Sequence, residues 1–119
     1  MQLLSPPTAV RVLRGSGVSA GRARGRALRV GNAREAAAAG PGDVAVVDVL
    51  PAGWAPLVAH TAGVVAGEGG ALSNAATVLR ELRVPAVVGI GPAAAAIESG
   101  ASISLDGLTG SVEVDSDAV

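Results

Sequence analysis

The sequence has no cysteine, no lysine, no phenylalanine and no tyrosine, and it carries one histidine and one tryptophan. Without cysteine there can be no disulfide scaffold, thiolate nucleophile or thiolate-bound metal. Without lysine, Schiff-base chemistry and the lysine of a phosphate-binding loop are excluded. A lone His60 cannot build a histidine metal cluster. The missing aromatics remove the stacking platforms of nucleic-acid readers. No run approaches the roughly 18 apolar residues of a membrane helix, and no segment resembles a secretory signal. Neither nucleic acid nor membrane is expected as a partner, and a cytoplasmic chain is the default.

What remains is 119 residues, half of them hydrophobic, with a net charge of −1. That is enough for one compact domain and too little for two. Its core has to be built from Val, Leu, Ile and Ala, which suits short strands and closely packed small-residue helices. Seven of the nine arginines lie between Arg11 and Arg34, while Glu113, Asp115 and Asp117 crowd the end. A solvated arginine face accounts for this polarity without a polyanionic partner.

Along the chain, Pro6 and Pro7 mark an N-terminal arm over residues 1–14, and residues 115–119 read as an acidic tail. Gly15, Gly17 and Gly21 are expected in a loop before a strand from Arg24 to Val30 with alternating arginines. "VAVVDV" at Val44–Val49, "VVA" at Val64–Ala66 and "AVVGI" at Ala86–Ile90 are apolar runs of the kind found in strands covered on both faces. Short helices are expected between them: one over "AREAAAAG", one placing Trp54, Leu57 and Val58 inward, and one from about Asn74 to Arg83, stopped by Pro85. "PAAAAIESG" reads as a further short helix closed by Gly100. "SISLDGLTGSVEV" reads as two strands around an Asp-Gly turn. Such alternation predicts an α/β fold with a partly parallel sheet.

"VVGIGPAAAAI" has the glycine spacing of a dinucleotide fingerprint, but the following helix is too short and no further βαβ units complete a crevice. His60 sits among apolar neighbours with no carboxylate at helical spacing. Asp43, Asp48 and Asp106 fit turns and strand ends. No metal or organic cofactor is called for. The stretch with chemical promise is "GGALSNAATVLREL", Gly69 to Leu82. A glycine turn running into a helix presents unpaired N–H groups and a partial positive charge. Gly69, Gly70, Ser73 and Ala75 are therefore candidate phosphate ligands, with Asn74 at the helix start.

Taken with "GSGVSAGRARGRALRV" and "SGASISLDGLTGSVEV", this stretch resembles the swivelling phosphohistidine domain of phosphoenolpyruvate-utilising enzymes. That family includes phosphoenolpyruvate synthase, pyruvate phosphate dikinase and rifampicin phosphotransferase. The resemblance covers about Gly15 to Val114 and implies a β/β/α sandwich that swings between two active sites. In the family it carries a phosphoryl group on a histidine. It further implies a nucleotide-grasp or phosphoenolpyruvate-binding subunit as partner. Here Asn74 stands at the histidine position, and an amide nitrogen, its lone pair delocalised into the carbonyl, cannot form a phosphoramidate. Four readings stay open: a stand-alone, non-phosphorylated binding or regulatory module, an engineered His-to-Asn form of a true carrier, a carrier using His60, and a structural oligomer subunit.

Overall fold

The computed structural model describes residues 9–116. Eight strands form one mixed sheet: β1 (Ala9–Arg14), β2 (Ser16–Ser19), β3 (Arg22–Arg29), β4 (Asp43–Val47), β5 (Gly63–Ala66), β6 (Ala86–Val88), β7 (Ser102–Asp106) and β8 (Ser111–Ser116), in the order β1-β8-β7-β3-β4-β5-β6-β2. Strands β3 to β6 run parallel, and every other pairing is antiparallel. Two α-helices, α1 (Ala33–Ala38) and α2 (Asn74–Glu81), and two 3₁₀ helices, Ala52–Val58 and Gly91–Ala96, fill the connections.

The three apolar runs are the adjacent parallel strands β4, β5 and β6, as their composition predicts. Side chains alternate across a strand, so each run feeds two cores. Ala45, Val47, Val64, Ala66, Ala86 and Val88 pack with Ala36 of α1 and with Ala75, Ala76 and Leu79 of α2. Val44, Val46, Val65 and Val87 point the other way and pack with Ile103, Leu105, Val112 and Val114 of β7 and β8. The sheet curls so that its antiparallel half covers the back of its parallel half, giving helix, sheet and sheet layers.

Several local expectations change. Residues 9–14 are not a loose arm: they form β1, paired with β8 from Ala9↔Ser116 to Arg14↔Ser111. The remainder of the arm and residues 117–119 of the tail lie outside the described residues. The Gly15–Gly21 segment is mostly strand β2 rather than loop. Its glycines allow close approach to another backbone: a Cβ on Gly17 would meet the Gly107 carbonyl oxygen, and one on Gly107 would meet that of Ser19. Trp54 and Leu57 are half-buried beside fully buried Val58, on a 3₁₀ rather than an α-helix. Pro56, lacking an N–H, cannot donate the i→i−4 bond an α-helix needs there.

The Asp-Gly turn between β7 and β8 is held by Asp106, whose Oδ1 accepts from the N–H groups of Leu108 (2.9 Å) and Thr109 (3.3 Å). Arg22 Nε donates to its Oδ2 at 3.3 Å. Those backbone donors, with the Arg22 charge as a smaller contribution, hold the Asp106 carboxyl below its ordinary range.

Helix α2 closes on a residue the sequence does not favour there. Val84 N–H bonds the Leu79 carbonyl (3.0 Å) and Arg83 N–H bonds that of Arg80 (3.1 Å), a Schellman closure that puts Arg83 at φ 59°. A left-handed residue with a Cβ costs about 1–2 kcal/mol relative to one without, partly offset by the greater unfolded-state freedom of glycine. Arg83 is exposed. Arg83→Gly should therefore stabilise the domain by about 0.5–1 kcal/mol, seen as a higher denaturation midpoint with an unchanged slope. A destabilised variant would show that the Arg83 side chain contributes more than its backbone costs.

Candidate functional site

In an open α/β sheet, the loops after the carboxyl ends of parallel strands are left to form sites. Here the loop from Gly67 to Ser73 leaves β5 and enters α2. Its base is hydrogen-bonded to the neighbouring strand ends: Gly67 N–H to Val47 O (3.0 Å), Glu68 N–H to Asp48 O (2.8 Å) and Gly91 N–H to Gly67 O (2.8 Å). Gly69 then adopts φ +128°, which an L side chain rarely takes, and Gly69 and Gly70 are both exposed.

Ser73 is the N-cap of α2, with extended backbone and its Oγ accepting from Ala76 N–H at 3.1 Å. Asn74 follows as the first helical residue and is exposed. Ala75 and Ala76 are buried against the sheet, which is what brings the helix start so close to the strand ends. Among the described residues, the N–H groups of Asn74 and Ala75 have no protein acceptor. They are donors of the unpaired kind every helix start offers. Gly69, Gly70, Ser73, Asn74 and Ala75 thus come together on one turn.

His60 is placed elsewhere. It precedes the amino end of β5, while the glycine turn follows the carboxyl end, and its Nε2 donates to the Ala39 carbonyl after α1. The ring serves as a tie between connections. Asp48 and Glu68 border a cleft of about 460 Å³ with Gly67, Gly91, Pro92 and Ala95. Arg29 Nη2 lies 3.5 Å from Asp48 Oδ1. With carboxylates on that side of the loop, the donors an anion could meet lie on its other side, at the start of α2. Among the described residues no three acidic or imidazole groups converge to hold a metal.

The residue whose role sequence reasoning missed is Arg80. From the last turn of α2 its guanidinium reaches back along the helix: Nη1 and Nη2 both donate to Ala71 O at 3.1 Å, and Nη1 also to Val18 O at 3.1 Å. It clamps the glycine turn to α2 and to β2 together. Only the position of a basic residue near a helix carboxyl end is visible in the sequence, and that pattern ordinarily reports on the helix dipole. Lysine keeps the charge but not the planar fork. Arg80→Lys should therefore speed exchange of the Ser73 amide, bonded to Gly70 O, by roughly tenfold, a loss of about 1.4 kcal/mol of local stability. Unchanged exchange would show that the turn holds its shape without the clamp.

Residues 39–110 match the family described as PEP-utilising enzyme, mobile domain. The chain is 42% identical over 71 residues to a probable phosphoenolpyruvate synthase of Staphylothermus marinus, covering 60% of this chain and 8% of that protein. It is 35% identical over 101 residues to phosphoenolpyruvate synthase of Pyrococcus furiosus, covering 85% of this chain and 12% of that one. The chain thus spans about a tenth of the length of these relatives. A solution structure of Enzyme I superposes with a TM-score of 0.53 at 27% identity, over 66% of this chain and 33% of the other. Aconitase X of Thermococcus kodakaraensis superposes with a TM-score of 0.67 over 87% of this chain and 98% of the other, but at 15% identity it shares the fold alone. The family match covers more than half of the chain, glycine turn and α2 included: this chain belongs to the mobile domains of phosphoenolpyruvate-utilising enzymes.

Proposed function

We propose that this chain is a mobile domain that does not carry phosphate as written, because Asn74 occupies the position that the family resemblance assigns to the phospho-accepting histidine. The observation that carries the reading is the placement of Asn74: exposed, first in α2, beside the unpaired amides of the turn. Phosphoryl transfer to this position needs a nitrogen lone pair able to attack phosphorus, with the nucleotide or phosphoenolpyruvate oxygen leaving. The amide nitrogen of Asn74 has no such pair. What survives is the backbone. Gly69, Gly70, Ser73 and Ala75 form a turn suited to weak phosphate or sulfate binding, and the domain serves as a binding or regulatory module in a phosphotransferase assembly. Its partner is a nucleotide-grasp or phosphoenolpyruvate-binding subunit or domain.

His60 does not replace the lost group on this reading, since it lies at the other end of β5 with its Nε2 engaged by Ala39. The alternative of a true carrier altered at one residue shares every feature of the turn. The same variant addresses both.

Asn74→His replaces an exposed residue and leaves the Ser73 cap in place, so the stability change should stay within about 1 kcal/mol. Incubated with a nucleotide-grasp partner and ATP, the His variant should gain an acid-labile, base-stable phosphate, and the Asn74 protein none. In a phosphate titration of the unaltered chain, the amide resonances of Gly69, Gly70, Asn74 and Ala75 should move first. Acid-labile phosphate mapped to His60 of the unaltered chain would overturn the proposal. Flat amide shifts at high phosphate would remove its anion-binding part.

A further inference from the structure

The outer face of the antiparallel half is laid out in columns by its register. Arg22, Arg24 and Arg26 of β3 stand opposite Asp106, Ser104 and Ser102 of β7. Those stand opposite Ser111, Glu113 and Asp115 of β8, which in turn stand opposite Arg14, Val12 and Val10 of β1. β1 ends the sheet, and among the described residues it pairs with β8 alone. Val10 and Val12 are 53% and 54% exposed, whereas Leu13, on the other face of the strand, packs against the second core.

The direction of the unused backbone groups follows from one bond. Gly15 N–H donates to Gly110 O, continuing the β1–β8 register, so the odd-numbered residues of β1 bond β8. The even-numbered residues Val10, Val12 and Arg14 therefore turn their N–H and C=O groups to the free edge. An edge that presents unpaired groups and exposed valines together is a template for another strand. Natural edges of this kind are usually blunted by proline, a bulge or charge; β1 has neither proline nor bulge, and its charges are Arg11 and Arg14. Arg11, its inward arginine, is tied by Nη2 to the Ala96 carbonyl at 3.4 Å.

We propose that the occupant of this edge is β1 of a second copy, paired antiparallel about a two-fold axis through Val12. In that register Val12 bonds Val12 of the second copy, and Val10 bonds its Arg14, in both directions, so all three outward-facing residues are used on each side. Val12 meets Val12 of the second copy on the outer face, flanked on each side by a Val10–Arg14 pair. Arg14 of the second copy enters the row of Asp115, next to Val10. Asp115 Oδ1 is buried and has no hydrogen-bond partner among the described residues, and the register sets a cation in its row with Val10 between them. The contact joins identical patches, as a two-fold interface requires, and makes one continuous sheet of the two.

The test uses the full chain in sedimentation velocity and hydrogen exchange from about 10 μM to 1 mM, the range in which modest strand-edge contacts assemble. Mass should rise from that of one 11.4 kDa chain toward two. The amides of Val10, Val12 and Arg14 should gain protection with concentration, while those of Leu13 and Gly15 stay constant. Val12→Pro removes an outward N–H and none of the β1–β8 bonds, and Val12→Lys sets like charges on the axis. Each should weaken association at least tenfold with unchanged circular dichroism. Arg14→Asp should do the same, and Arg14→Asp combined with Asp115→Arg should restore it. A chain that stays monomeric at 1 mM overturns the proposal. So does association without concentration-dependent protection of the three amides, which needs no variant to fold.

Discussion

Everything in this domain depends on a parallel sheet that is apolar on both faces. With no Phe or Tyr and a single Trp, β4, β5 and β6 bury themselves with Val and Ala alone. Small side chains cover little area each, so both faces must be sealed closely: α2 sits on alanines at one face, and β7 and β8 curl over the other. That sealing fixes where the chain can be open. Only the ends of the strands and the edge of the sheet remain, and the glycine turn occupies one of those ends.

The turn shows how completely backbone and side chain can be separated in a site. Its shape is set by Gly69, by the Ser73 cap, by strand-end hydrogen bonds and by the Arg80 fork. None of these depends on the residue at Asn74. A change there alters the chemistry on offer while leaving the donors and the helix start as they were. On the proposed reading this is why a family fold persists around an unreactive group: nothing in the packing reports the loss. Buried Ala75 and Ala76, by contrast, could not change without moving the helix off the sheet.

The buried strands were legible because continuous β-branched runs bounded by glycine and proline have few other stable uses, and the family motif was legible because its residues are contiguous. The N-terminal region was not. Prolines and glycines in residues 1–21 carry the local signs of an arm and a loop. Yet β1 and β2 form because distant segments supply their partners: β8 lies about a hundred residues on, and β6 about seventy. The close approach of Gly17 to Gly107 is a tertiary fact that makes glycine useful in a strand, where composition alone argues against one. The same limit hid Arg80, since its acceptors at Ala71 and Val18 are carbonyls, which no residue type advertises.

β1 and β2 are one continuous piece of chain divided at Gly15, yet they lie at opposite ends of the strand order. That geometry needs a residue without a side chain: a Cβ at Gly15 would meet the Val88 carbonyl oxygen and the Ile90 side chain. Beyond this point the carbonyl of Val18 in β2 accepts from Arg80, the same guanidinium that holds the glycine turn. The free edge and the glycine turn are therefore both joined to one segment of eleven residues, Ala9 to Ser19, the edge through β1 and the turn through the Arg80 bond to Val18. β2 is held by its pairing with β6, by the bond from Gly15 N–H to Gly110 O and by Arg80, none of which involves the outward groups of β1.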